Sequence, residues 1–316
     1  MIFIVIISLM AISFVLGAAA FLAYTKIASI KSKKITSKYL ECQESTEMIR
    51  NEMQLVTNPA EEQKMQKLLS IIIPYYNEEK RIIGMLQDCT NAILQMQQTS
   101  ILMNESDVEI VLVDDGSSDN TFTVLMELIT EKKRFNFRIV KHNKNMGKGA
   151  AIASGIFVSR GDFVVFADAD GATSFSVITS FMEKAIKLNK SEEMFVIFGE
   201  RKAVDRTILR FAFSKIFEYS KKIILGIRVA DPQCGFKMFS RKAAIAIFSN
   251  IHLHRWGFDV EMFKLCHMLK IQYFALPVQW REVTGSKVKL LRDPFMMLGE
   301  IFLLKIGYDF KLWSIK

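Results

Sequence analysis

Five short apolar runs recur between residues 68 and 200, each ending in polar or acidic residues and each separated from the next by a longer amphipathic stretch. They are "LLSIIIPYY", "VEIVLVDDG", "FRIVKH", "DFVVFAD" and "MFVIFGE". Runs of this length, rich in Ile and Val, predict buried strands. The stretches near residues 79–98, 119–132, 148–159 and 175–188 carry helical periodicity. That alternation predicts an α/β fold, a mainly parallel sheet with helices on both faces. Ligands of such sheets bind beyond the carboxyl ends of the strands. The polar signals fall at those ends: Asn77 and Glu78 after the first run, Asp114 and Asp115 after the second, Asp168 and Asp170 after the fourth.

Two phosphate-binding signatures are absent. "GKGAAIASG" departs from GxGxxG, and no GxxxxGK[ST] occurs, so no glycine cradle alone holds a nucleotide. "FADADGAT", residues 166–173, offers a different solution. Asp168 and Asp170 supply hard oxygen ligands suited to Mg²⁺ or Mn²⁺. Gly171 is expected to bend the chain so that both carboxylates reach the ligand. The competing reading is a solvated Asx-type turn. "DDGSSDNT" also suits a helix start with an Asp or Ser cap. His252 and His254 form an HxH that falls short of a zinc site. Cys42, Cys89, Cys234 and Cys266 form no CxxC pair, which predicts reduced thiols.

From Met1 to Thr25 there is no charged side chain. About 20 apolar residues span a bilayer core. "GAAA" at 17–20 raises a signal peptide as the alternative, but no basic region precedes the apolar run. Lys26, Lys31, Lys33 and Lys34 follow it, which predicts an uncleaved anchor with the rest of the chain cytoplasmic. The expected organisation is an anchor helix over 1–25, a polar spacer, helical or loose, over 26–67, the α/β domain over 68–290, and an amphipathic segment over 291–316. Residues 206–227 and the C-terminal segment mix aromatic and aliphatic side chains with lysines and arginines, and read as interfacial helices. Ordinary core-facing helices are the alternative. Lys and Arg exceed Asp and Glu by 42 − 33 = 9, which suits an anionic membrane surface without invoking nucleic acid. With the domain cytosolic, the acceptor sequons at Asn104 and Asn189 are expected to stay unglycosylated.

In order along the chain stand "SIIIPYYNEEKRI", "VLVDDGSSDNT", "NKNMGKGAAIASGI", "FADADGAT", "DPQCGFKMFSR" and "RWGFDVEM". Together they resemble the inverting glycosyltransferases of family 2, of GT-A fold, and more narrowly the dolichyl-phosphate β-glucosyltransferases. The resemblance spans roughly residues 68–290. It implies UDP-glucose as donor, dolichyl phosphate as acceptor, a Mg²⁺ or Mn²⁺ cofactor on Asp168 and Asp170, and a place at the endoplasmic reticulum membrane. It implies that Pro74, Tyr76 and Glu78 line the nucleotide pocket and that Asp115 accepts hydrogen bonds from base or ribose, with Asp114 holding the loop. Lys148, at a helix start, is expected to reach a phosphate or uracil, and Arg201 the diphosphate, since a guanidinium matches phosphate geometry. Trp256 and Asp259 are placed at or behind the sugar pocket. Asp231 is the candidate for orienting the sugar or acting as a base. Arg210, Arg228, Lys237 and Arg241 are the candidates for the acceptor phosphate. A phosphate monoester has its second pKa near 6, so it attacks without a general base. His252 stands where processive polysaccharide synthases carry the Gln of QxxRW, which argues against polymer synthesis. The alternatives are the same transfer from GDP-mannose, or a membrane-tethered scaffold with a degenerate transferase fold.

Overall fold

The computed structural model describes residues 53–55, 67–99, 101, 104–131, 134–189, 191, 193–201, 208–283 and 293–315. The strands are β1 (Met53–Leu55), β2 (Lys67–Tyr75), β3 (Val108–Asp114), β4 (Asn136–His142), β5 (Gly161–Ala167), β6 (Phe195–Arg201), β7 (Phe236–Ser240) and β8 (Gln272–Val278). They form one sheet in the order β1-β4-β3-β2-β5-β7-β6-β8. β2 runs parallel to β3 and β5, β3 to β4, and β6 to β8. β7 is inserted antiparallel between β5 and β6, and β1 pairs antiparallel with β4. The five expected strands are all present. β7 lies within a motif block whose central lysine hides the apolar run, and β8 is an edge strand that tolerates Pro277. Three residues of the segment read as a spacer, Met53–Leu55, join the sheet as β1.

The helices are α1 (Ile82–Gln98), α2 (Thr121–Glu131), α3 (Lys148–Val158), α4 (Ile178–Asn189), α5 (Ile208–Leu225), α6 (Arg241–Phe248), α7 (Phe258–Met268) and α8 (Asp293–Asp309). One sheet face packs on α1 and α4, where Ile82, Met85, Leu86, Cys89, Ile93 and Met96 form the helical stripe that meets Leu69, Ile71 and Ile73. The other face packs on α3, α6 and α7, with Ile72, Val111 and Val113 beneath them. Both faces are covered, which is why β2 and β3 read as continuous apolar runs rather than alternating ones. Tyr75 is in register with Asp114. The loops leaving β2 and β3 therefore start level and meet.

α5 and α8 pack on each other. α8 also joins the core through Ile301, Leu304 and Tyr308, with Trp313 just beyond it. Its other side leaves Leu303 exposed, with Phe310 and Leu312 following, and α5 exposes Tyr219 and Ile223. The expected anchor over 1–25 lies outside the described residues; among the described residues no helix is long and apolar enough to cross a membrane. Cys89, Cys234 and Cys266 are free and buried; Cys42 lies outside the described residues.

Candidate active site

The carboxyl ends of β2 and β3 are knitted together by side chains. Asn77, at φ 54°, accepts the Ser118 N–H at 2.8 Å through its Oδ1, while its own N–H donates to Ser117 Oγ at 3.0 Å. The Glu78 N–H donates to Thr121 Oγ1 at 2.8 Å. Pro74 is buried within β2, and Tyr76 is half-buried at its exit. The Glu78 carboxylate holds Arg81 through two bonds, at 2.7 and 2.8 Å.

The adjacent aspartates both hold loops. Asp115 Oδ1 accepts from the Met146 N–H at 2.8 Å and meets His142 Nδ1 at 2.9 Å, and Oδ2 accepts from the Gly147 N–H at 2.9 Å. These three contacts fasten Asp115 to the entry of α3 and leave Oδ2 with one further acceptor position. Asp114 Oδ1 accepts from the Ser117 N–H at 2.7 Å, and its buried Oδ2 has no partner among the described residues.

At the end of β5 the chain turns through Gly171, at φ +69°. Asp170 Oδ1 accepts the Ala172 N–H at 2.9 Å. Burial, and next the charge of Asp168, raise the Asp170 pKa above the usual carboxylate value. Arg81 and Lys148 oppose that rise. Asp168 is set against the Gly235 backbone, where an added Cβ would fall 1.9 Å from its Oδ2, and its Oδ1 pairs with Lys148 Nζ at 2.5 Å. Two half-buried carboxylates that repel one another, with cations around them, form an anionic site of hard oxygen donors. Among the described residues no group of three or more His, Cys, Asp or Glu closes a metal cage. A two-carboxylate set fits Mg²⁺ or Mn²⁺ in the open manner, in which substrate phosphates and water complete the coordination.

Arg201, at the end of β6, is gripped by Asp231. Its Nε and Nη2 donate to the carboxylate at 2.7 and 2.6 Å, and its guanidinium lies 5.3 Å from the Trp280 ring centroid. Burial pushes the Asp231 pKa up, but the hydrogen bonds and charge of Arg201 outweigh it and hold the pKa below the usual range. Such a carboxylate is a poor proton acceptor, which argues against a base role for Asp231.

The four acceptor-phosphate candidates separate. Lys237 is fully buried and donates to Asp259 Oδ1 at 2.7 Å and to the Cys234 carbonyl at 2.6 Å. It is the counter-ion of Asp259, not an acceptor ligand. Arg241 starts α6 at the opposite end of the sheet, since β7 runs antiparallel with Ser240 beside Phe163, and it donates to Ser159 Oγ at 2.6 Å. Arg228 is exposed. The side chain of Arg210 lies outside the described residues.

Trp256 is half-buried three residues before Asp259. Asp259 is buried, which raises its pKa against the pull of Lys237 and Lys148. The segment before them is fastened by Glu261, which accepts from the His252 and Leu253 N–H groups, meets His252 Nδ1 at 2.7 Å and accepts the Tyr308 hydroxyl at 2.8 Å. The His254 carbonyl accepts the Gly149 N–H at 2.8 Å, so this loop also braces the start of α3.

Sequence reasoning missed Arg81 and Trp280. The three-residue spacing of Glu78 and Arg81 at a helix entry was a signal for the first. Trp280 follows β8 in a segment that pairs with the turn after Asp170: Thr173 and Trp280 form an antiparallel bridge, Ser174 N–H donates to the Gln279 carbonyl at 3.3 Å, and Arg281 N–H to the Ala172 carbonyl at 2.9 Å.

Residues 70–248 match the family model for glycosyl transferase family 2. The chain is 32% identical to the dolichyl-phosphate beta-glucosyltransferase of Dictyostelium discoideum over 78% of this chain and 77% of that protein. It is 35% identical to the Saccharomyces cerevisiae protein of the same name, over 76% and 75%. With the Mus musculus one it shares 30% identity over 98% and 97%. Among solved structures, glucosyl-3-phosphoglycerate synthase from Mycobacterium tuberculosis in complex with UDP superposes with a TM-score of 0.51 at 17% identity, covering 76% of this chain and 80% of that one. That likeness establishes the fold.

Proposed function

The chain belongs to glycosyl transferase family 2 and, within it, to the dolichyl-phosphate β-glucosyltransferases, and from that premise we propose that it moves glucose from UDP-glucose to dolichyl phosphate, giving dolichyl β-D-glucosyl phosphate, a donor for N-glycosylation precursors. The observation that carries the reading is the carboxylate pair Asp168 and Asp170 at the end of β5, ringed by Lys148 and Arg81, in a chain with these relatives.

The uridine rests at the ends of β2 and β3, where Pro74 and Tyr76 lie and Asn77 and Asp115 keep the loops in place. Asp168 and Asp170 would hold Mg²⁺ or Mn²⁺, and that ion, when bound, would supply Lewis-acid neutralisation of the diphosphate's charge. Lys148 is within one contact of the same carboxylates and adds its charge to the diphosphate side. Arg201, kept in one orientation by Asp231 and Trp280, presents its remaining donors to the sugar-phosphate. Trp256 and Asp259 support the sugar pocket from the start of α7. A phosphate oxygen of the acceptor attacks the anomeric carbon as the bond from that carbon to the UDP oxygen breaks. The bonding pair leaves with UDP, and attack from the opposite face inverts the α-linked donor to a β-linked product. The acceptor is largely a dianion at neutral pH, so no residue has to remove a proton.

The uncharged stretch 1–25 and the lysines behind it support a single anchor in the endoplasmic reticulum membrane with the domain on the cytosolic side. The exposed apolar side chains of α5 and of the chain end after α8 support contact with the lipid surface.

The test is transfer of radiolabelled sugar to a polyprenyl phosphate by the full chain in detergent, with UDP-glucose and GDP-mannose side by side. Glucose transfer that stops with chelator and falls at least about a hundredfold in Asp170→Ala is expected. Mannose transfer, or activity indifferent to Asp170, overturns the donor or the site respectively.

A further inference from the structure

We propose that Arg281 is the cation that receives the acceptor's phosphate, an inference that rests on the reaction proposed above. Arg81, Lys148, Arg201 and Lys237 stand around the carboxylate pair, and each is matched by an acid: Glu78, Asp168, Asp231 and Asp259. A phosphate dianion arriving second needs a positive group not already committed in this way. Arg281 is exposed, and among the described residues no carboxylate pairs with it.

Its main chain, by contrast, is fixed. The ribbon formed by 172–174 and 279–281 ties Arg281 to the turn that carries Asp170, through the 2.9 Å bond from its N–H to the Ala172 carbonyl. The preceding Trp280 is held under Arg201. The guanidinium thus hangs from a backbone anchored at the metal-binding turn, on a side chain able to form two parallel bonds to a phosphate. Direction also favours the acceptor over the donor. Lys148 reaches the turn from α3, which packs over β2 and β3, whereas Arg281 arrives from β8, the edge strand at the other end of the sheet order. Inversion requires the nucleophile to approach opposite the leaving diphosphate, and the proposal gives that side to Arg281.

The same chemistry would hold an anionic lipid headgroup, so the probe is citronellyl phosphate, a short isoprenyl phosphate, in detergent without phospholipid. In Arg281→Ala the KM for this acceptor is expected to rise about tenfold to a hundredfold. The KM for UDP-glucose should stay within about twofold and Arg281→Lys should recover part of the loss. UDP binding and thermal midpoint are measured on each variant to confirm a folded site, with Arg281→Gln as the second neutral variant. An unchanged acceptor KM, or donor and acceptor KM rising together, overturns the assignment. If the unmodified chain transfers no glucose at all, it is the proposed function that falls. Equilibrium binding of citronellyl phosphate then decides the role of Arg281: weaker binding in Arg281→Ala supports it, and equal binding overturns it.

Discussion

Asp231 and Arg201 share two short hydrogen bonds, and the consequence is that neither acts alone. Asp231→Asn and Arg201→Gln are each expected to lower kcat/KM about tenfold to a hundredfold, and the double variant little further, because both remove one unit. The pH–rate profile of Asp231→Asn should keep its acidic limb, since that limb belongs to the acceptor phosphate with its pKa near 6. A profile that loses the limb would restore Asp231 as a base. Lys237 is predicted to matter differently: Lys237→Ala strands Asp259 in the core and costs about 3–5 kcal/mol of stability, read by denaturant unfolding, with the acceptor KM of the folded protein unchanged. The carboxylates at the strand ends were legible in the sequence because parallel strands put their polar exits at one edge. The pairings of Lys237 and Arg241 were not, because they depend on β7 entering the sheet backwards, which sends one residue of a single motif into the core and another to the far edge.

At the scale of elements, α8 and the chain after it act as a clasp on the loop that leads into α7. Trp313 stacks on His252 with ring centroids 4.3 Å apart, and the Tyr308 hydroxyl reaches Glu261. Trp313→Ala should cost ~3 kcal/mol from lost packing, and Tyr308→Phe ~1 kcal/mol from one lost hydrogen bond, both measured by chemical unfolding. Glu300 of α8 gives this contact a pH dependence. Burial raises its pKa from 4.5 to about 7, and its Oε2 has no hydrogen-bond partner. The folded state therefore keeps a proton that the unfolded state gives up above pH 4.5, and the stability this provides is lost as pH rises through 7. Glu300→Gln should flatten the fall in Tm between those two pH values; an unchanged slope would show that Glu300 titrates normally. His252 illustrates what the sequence withheld. Its motif position was readable, but its partner Glu261 lies nine residues on and Tyr308 fifty-six, and only the fold brings them to one point.

Over the whole molecule, charge and apolar exposure point the same way. The net charge is +9, and the largest exposed apolar side chains include Ile223 at 79%, Phe310 at 73% and Tyr219 at 56%, on α5 and just after α8, the two helices that pack together. The amphipathic character of both segments was legible from their composition. Which side faces the core was not, because α8 buries Ile301, Leu304 and Tyr308 in an interface that exists only once α7 is in place. In the proposed setting these side chains enter the lipid interface, while the basic residues meet anionic headgroups. The domain's side of the membrane is tested by the sequons, since Asn104 and Asn189 are both exposed and would accept glycan in a lumen; both are expected bare in the native host. The apolar face is tested by changing the acceptor's surroundings. Ile223→Glu with Phe310→Glu should slow transfer to a long polyprenyl phosphate in phosphatidylserine-containing vesicles by about tenfold. Transfer to citronellyl phosphate in detergent should be unaltered, because that acceptor needs no bilayer to reach Asp168 and Asp170. Equal loss in both assays would mean that the two side chains support the fold of α5 and α8 rather than their contact with lipid.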